Sequence, residues 1–308
     1  MNGMSNNNLQ DVLENPLKIL EREDVVFALK KHWKANHENL RDPEKFVEDF
    51  FAYLSQVRNE DDLDIRKISK TYNKKLKECR KECADLGRPK DMFLEIIDRQ
   101  LAEVETILDF GCGKLAFLKE LAENNRNIKN MIGVDPKSCP ALEELDGRIK
   151  FQRDMKGIAN ESVDLAVIKL VLHHLEDDAQ IKDIFEGIKK VLRPGGKLVV
   201  FEESFPESHY ESGNVRDYLR QFGLEASDST EYFLRLSQED RINFLFLNDW
   251  LMNVQNSYMP WTGFYKSMEE WRGLADAVGF KEVESHFLGA IKRRKRKQGM
   301  TAYMVWKK

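Results

Sequence analysis

Asp109, Gly111 and Gly113 stand two apart in the stretch ETILDFGCGKLAFLKEL, residues 105–121. Both glycines fall where an apolar run passes straight into an amphipathic helix, so a carboxylate and bare backbone face whatever binds there. A dinucleotide site needs G-x-G-x-x-G; here the residues read G-C-G-K-L-A, with Ala116 at the sometimes tolerated third position. No Gly-Lys-Ser/Thr follows at the right spacing, which excludes a P-loop. Asp135, in IGVDP, ends a second apolar run, where an acid accepts two hydrogen bonds from a ribose diol. Asp154, followed by Met155, ends a third, a pairing suited to an adenine amino group and its ring face. VDLAVIKLVLHHLED brings Ile168, Lys169, His173 and His174 to the end of a fourth, and GKLVVFEES ends a fifth with Glu202 and Glu203. Alternation along a strand sends those two glutamates to opposite sides, so one faces the site as a base or cation partner. Plain structural roles compete throughout: tight packing for the glycines, a turn for Asp135 before Pro136, an N-cap for Asp154.

These groups need a scaffold that brings five strand ends to one rim. The apolar runs TILDF, NMIGVD, IKFQRD, VDLAVIKLV and GKLVVFEES alternate with helical patterns, among them DDAQIKDIFEGIKKVLRPGG, which closes at Pro194, Gly195 and Gly196. Strands apolar on both faces and separated by helices form a parallel sheet covered on both sides, a doubly wound α/β domain. In such sheets ligands bind beyond the carboxyl ends of the strands.

The first hundred residues are helical. Asp42 caps and Pro43 starts a helix whose Phe46, Val47, Phe50, Phe51 and Leu54 form one apolar stripe. A basic helix is expected from about Leu63 to Leu86, and another in KDMFLEIIDRQLAEV that buries Met92, Ile96, Leu101 and Val104. After Phe205 the chain becomes helical and aromatic; then Ser267 and Glu270 read as a capping box and Gly279 as a helix stop. FKEVESHFL and TAYMVWKK read as a closing strand pair.

The ordered set of strand-end motifs resembles the class I S-adenosylmethionine-dependent methyltransferases, closest to their small-molecule branch. The resemblance spans about Glu105 to Phe205 and again Ser267 to the C-terminus. It implies a Rossmann-like, mostly parallel seven-stranded sheet with a terminal antiparallel hairpin, a helical N-terminal region and a helical lid insertion. The domains expected are a cap over 1–103, a cofactor-binding core over 104–205, an aromatic lid over 206–266 and a closing segment over 267–308. It implies S-adenosylmethionine as cofactor, with Asp109, Gly111 and Gly113 along its methionine end and Asp135 on the ribose. Asp154 and Met155 would hold adenine, and Ile168 and Lys169 would offer backbone. Catalytic candidates are His173, His174 and Glu203; in the family a His-His-Leu here also occurs where other groups act. Substrate candidates are Tyr258, Trp261 and Tyr265 in the lid. Where the family usually has a further glycine this chain has Leu115, which either crowds the methionine moiety or points into helix–sheet packing.

Composition narrows the partners. Lys and Arg total 49 against 53 Asp and Glu, a formal net charge of -4, which argues against nucleic acid as the general partner. The basic run KRRKRK, Lys292 to Lys297, keeps an RNA-directed methyltransferase as one alternative; a catalytically inactive scaffold, suggested by Leu115, is the other. No segment approaches the ~20 apolar residues of a membrane helix. The opening MNGMSNNNLQDVLENP lacks the pattern of a signal peptide, and four cysteines in 308 residues fit a reducing cytoplasm. Cys79 and Cys83, four apart, lack nearby partners for a metal, so no metal site is expected.

Overall fold

The computed structural model describes residues 16–37, 39–57, 65–81, 92–137, 146–208, 210–254, 263–292 and 299–308. The chain divides into two compact units. Met1–Gly87, Ser208–Tyr265 and Leu288–Met300 form a helical unit, and Arg88–Glu207, Lys266–Phe287 and Thr301–Lys308 form a unit built on a sheet.

The sheet's parallel strands are β1 (Thr106–Phe110), β2 (Asn130–Val134), β3 (Ile149–Gln152), β4 (Val163–Lys169) and β5 (Leu192–Phe205). With β7 (Lys281–Gly289) and β8 (Thr301–Lys307) the order runs β3-β2-β1-β4-β5-β8-β7, and β8 lies antiparallel to β5. The expected doubly wound sheet is therefore present, with one addition: the two-residue β6 (Lys266–Ser267) pairs in parallel with the end of β5. Strand order reverses between β1 and β4, so the loops after them open onto the rim where ligands of such sheets bind. At the opposite end Asp164 ties the strands together. Its Oδ2 accepts from Glu105 N at 2.8 Å and Thr106 N at 2.9 Å, and its Oδ1 pairs with Arg193 Nε at 2.7 Å.

Local signals fix the helices of this unit. In α6 (Asp178–Val191) Asp177 accepts from Gln180 N at 2.8 Å as N-cap. In α10 (Met268–Val278) Ser267 and Glu270 form a complete capping box, and Gly279 ends the helix at φ +86°. Two boundaries differ from the sequence pattern. The helix before Pro194 stops at Val191, because Leu192 already pairs with Val163 and the next four residues bulge out before Lys197 rejoins the ladder. α4 (Met92–Ile97) gives way to a 3₁₀ turn at Asp98; Ile96, Leu101 and Val104 are buried, but Phe93 takes the place foreseen for Met92, which is only half-buried.

In the helical unit, α1 is Glu23–Asn36, α2 Pro43–Val57, α3 Ile65–Cys79, α7 Ser212–Arg220, α8 Ser229–Leu234 and α9 Gln238–Asn253. The α2 stripe is buried residue for residue as read, and Asp42 accepts from Lys45 N at 3.0 Å. Phe46 stacks on Trp33 of α1, and Phe50 lies 6.2 Å from Trp250 of α9, with Tyr72 of α3 edge-on to both phenylalanines. The basic helix is shorter than expected: it ends at Cys79, where Arg80 bridges to Leu40. α9 buries Phe244, Leu245, Phe246, Leu247, Trp250 and Leu251 all around its axis, so the aromatic density of this region is largely core. Among the described residues no helix is long and apolar enough to cross a membrane.

Leu115 caps α5 (Ala116–Asn124) in the left-handed region, φ +63° and ψ +22°, where glycine would be the unstrained choice. It is fully buried, and its side chain fills the space beside Gly133 of β2. A Cβ at Gly133 would overlap Leu115 Cδ2 and come within 2.8 Å of Cys112 Sγ. The side chain thus points into helix–sheet packing. Gly133→Ala should cost about 1–3 kcal/mol by overpacking and Leu115→Ala about 2–5 by leaving a cavity. In urea unfolding, the double variant should be clearly more stable than the sum of the two losses predicts; strict additivity would show that the two residues do not share this space.

Candidate functional site

The rim of the sheet gathers Asp109, Gly111, Gly113 and Asp135. Asp109 sits at the end of β1 opposite Gly133, and β1 is followed by Gly111, whose N–H donates to Val134 O at 2.7 Å. Gly111 has φ +77°, and a Cβ there would overlap Val171 of the loop after β4, so glycine is required for the two loops to meet. Gly113 has φ +53° but nothing lies within 4 Å of where its Cβ would be. Its backbone therefore faces open space. Asp135, just beyond β2, reaches across with Oδ2 accepting from Gly113 N at 2.9 Å and Oδ1 accepting from Lys137 N at 2.8 Å. These two bonds lock the Asp135 carboxylate in place at the rim. Bare backbone beside open space and a fixed carboxylate fit an adenosyl sulfonium.

Asp109 is buried, and burial pushes its carboxyl up to about 7, with the Lys169 ammonium pulling it down and the Asp135 charge pushing it further up. Lys169 ends β4 with Nζ 5.6 Å from the Phe93 ring centroid, and Ile168 beside it is fully buried. Burial, helped by the Asp109 and Asp135 charges, pushes the Cys112 thiol up to about 12, which leaves it protonated and unreactive.

The histidines follow β4 on a 3₁₀ turn, Leu172–His174. His173 is buried and its Nδ1 meets Glu202 Oε1; His174 is half-buried, its ring centroid 4.0 Å from that of His173. The glutamate that engages His173 is Glu202, whereas the sequence favoured Glu203, which is also buried. Both faces of β5 are covered, so the hydrophobic pattern carries no signal that separates the two.

Asp154 and Met155 follow β3, the strand that pairs with β2. Asp154 is exposed and folds onto its own turn, its Oδ1 accepting from Lys156 N at 2.8 Å. Met155 rests its side chain on Gly187 of α6, where a Cβ would overlap its methyl. Tyr265 is buried within the helical unit, its N–H donating to Gly263 O at 2.9 Å; Tyr258 and Trp261 lie outside the described residues. Of the basic run only Lys292 is described, with its ammonium 3.8 Å from Glu225 Oε2. Cys79 is a free thiol, and Cys83 lies outside the described residues.

A buried carboxyl raised from 3.8 to about 7 keeps its proton in the fold over a range in which the unfolded chain has lost it. Its effect on stability is neutral below about pH 4, turns unfavourable as pH rises through that window, and is fully unfavourable above pH 7. Asp109→Asn should therefore match the wild type in thermal unfolding near pH 4 and exceed it at pH 8.5, by up to roughly 4 kcal/mol. An equal difference at both pH values would show that Asp109 ionises normally.

Residues 108–200 match the profile of a methyltransferase domain. No curated protein sequence matches the chain. Among solved structures, the 1,6-didemethyltoxoflavin-N1-methyltransferase of Burkholderia thailandensis is similar at 16% identity and TM-score 0.42, over 85% of this chain and 86% of that one. A putative O-methyltransferase of Nostoc punctiforme is similar at 16% identity and TM-score 0.40, over 97% and 73%. Human N-acetylserotonin methyltransferase, solved with SAM, is similar at 17% identity and TM-score 0.42, over 68% and 48%. The domain match falls on the segment that holds the glycine junction, Asp109 and Asp135 and the switch point between β1 and β4, and over residues 108–200 the chain carries an S-adenosylmethionine-dependent methyltransferase domain.

Proposed function

We propose that the methyl acceptor is a small molecule offering oxygen, nitrogen or carbon, and that His173 handles the proton the acceptor gives up. The observation that carries this reading is the charge of the rim. Asp109, Asp135, Glu202 and Glu203 all lie at or just beyond the carboxyl ends of parallel strands, with Lys169 as the lone cation among the strand-end residues named for the site. A polyphosphate backbone approaching such a rim meets repulsion instead of the basic track that nucleic-acid enzymes present. The overall charge of -4 works in the same direction.

S-adenosylmethionine, when bound, supplies an electrophilic methyl on a positively charged sulfur. The chain's part is to hold, orient and exclude water. Asp135 would accept from the ribose hydroxyls, its carboxylate already aimed by Gly113 N and Lys137 N. Gly111 and Gly113 would line the methionine end together with Asp109, whose ionised form favours an ammonium partner. His173 would take the proton from a hydroxyl or acidic carbon; an amine acceptor arriving neutral asks less of it.

One experiment separates the acceptor classes. Methyl-labelled S-adenosylmethionine is incubated with the protein and a cell extract split into total RNA and a low-molecular-weight fraction. Label should enter the low-molecular-weight fraction and should fall about 10- to 100-fold for Asp135→Ala, the loss expected from removing a charged acceptor. Label found in RNA, with none in the small-molecule fraction, would overturn the assignment.

A further inference from the structure

We propose that the outward face of α3 is a docking surface for an anionic lipid bilayer, held by charge alone, whatever the methyl acceptor is.

Residues 65–81 carry eight cations against one acid, Glu78, in a chain whose net charge is -4. α3 buries Ile65, Ile68 and Tyr72 in the helical unit. Lys67, Lys70, Lys74 and Lys77, spaced three, four and three apart, fall within one arc of about 80° opposite those three, in a row about 15 Å long. All four are exposed. The same unit treats its other lysines differently. On α1 and α2, Lys30 pairs with Glu48 at 2.6 Å, Lys34 with Glu44 at 2.8 Å and Lys45 with Asp49 at 3.1 Å. Lys70, Lys74 and Lys77 have no ion-pair partner among the described residues. Like charges three and four apart on a helix repel. That cost has no return inside the fold, because the packing of α3 comes from its other face.

The chemistry of the face selects the partner. It offers ammonium groups alone: Tyr72, the aromatic residue of α3, is buried, and the exposed large apolar side chains among the described residues are Phe27, Leu170 and Val283, none of them on α3. A protein partner draws its binding energy from an apolar and aromatic centre, which this face lacks. A nucleic acid is held by tracks of cations together with rings that stack on bases. α3 offers one row without rings, and Lys30, Lys34 and Lys45 on α1 and α2 are already paired. An anionic bilayer needs neither rings nor an apolar centre. It is flat, its lipids diffuse to the charges, and clusters of about four to eight basic residues along a helix suffice to hold it.

The test is co-sedimentation of the full-length protein with vesicles of phosphatidylcholine alone, or of phosphatidylcholine with about one-third phosphatidylserine. Binding should appear on the anionic vesicles only and weaken as salt is raised, because the attraction is screened. The triple variant Lys70→Gln, Lys74→Gln, Lys77→Gln should bind about 100-fold more weakly, from a roughly five-fold loss for each charge. A second triple variant, Lys30→Gln, Lys34→Gln, Lys45→Gln, removes the same net charge from lysines that are paired with acids, and should lose at most a few-fold. Wild-type protein that ignores anionic vesicles at low salt, or binds neutral ones equally well, would refute the docking surface. Equal losses in the two triple variants would refute it as well, since binding would then follow net charge and not α3. Retention of RNA by the wild type with no binding to vesicles would replace the bilayer with a nucleic acid. Should the first variant fail to fold, the choice of the wild type between the two vesicle types still decides.

Discussion

The meeting of Val171 with Gly111 is the contact on which the site depends. The loops after β1 and β4 flank the place where strand order reverses, and they close on each other only because residue 111 has no side chain. From the β4 side, Glu202 holds Val171 and Leu172 by their N–H groups. From the β1 side, Asp135 holds Gly113 by its N–H. Two carboxylates on two other strands therefore shape the cleft between β1 and β4. In a parallel sheet the strand ends leave backbone donors without ladder partners at the rim, and acids placed there satisfy them while concentrating negative charge at that rim.

What could be read from sequence, and what could not, divides along the range of the interactions. The α2 stripe, the Asp42 cap, the capping box at Ser267 and Glu270 and the order of strand-end motifs are local patterns, and each appears in place. The direction of Leu115 depends on Gly133, a residue of the neighbouring strand, so no window around position 115 contains the answer. The role of Glu202 was hidden for a related reason. Residues 198–205 of β5 are buried without a break, so period-two patterning does not say which face meets the histidine turn. At Asp154 both the motif and the contact are local. Its carboxylate accepts from Lys156 N within its own turn, as that of Asp135 accepts from Lys137 N.

The helical unit gains its stability by different means. Its rings pack on one another through Trp33, Phe46, Phe50, Tyr72 and Trp250, and a buried polar cluster runs through them. Ser229 Oγ lies 3.1 Å from His32 Nδ1, 3.2 Å from Asn36 Nδ2 and 2.9 Å from Ser227 Oγ, which links α1 to the start of α8. Such a network specifies one arrangement of the helices, because any slip would leave several buried polar atoms unpaired. Trp250, one ring of the aromatic stretch after Phe205, is packing of this kind.

Unfavourable conformations and charges in the sheet unit are not scattered. Of the three non-glycine residues at positive φ among the described residues, Leu115 lies in the loop after β1 and Leu170 in the loop after β4. Each carries a left-handed penalty of about 1–2 kcal/mol. Leu170 is held by its N–H to Phe201 O at 2.8 Å, and Leu115 by its burial against Gly133. Between those loops lie the buried carboxyls of Asp109 and Glu202, one raised by burial and the other kept ionised by its donors. A fold under selection for stability alone has no reason to place two left-handed leucines and two buried acids around one cleft. Their coincidence at the rim follows if the loops are shaped for a ligand and the rest of the sheet supplies the packing that offsets the strain.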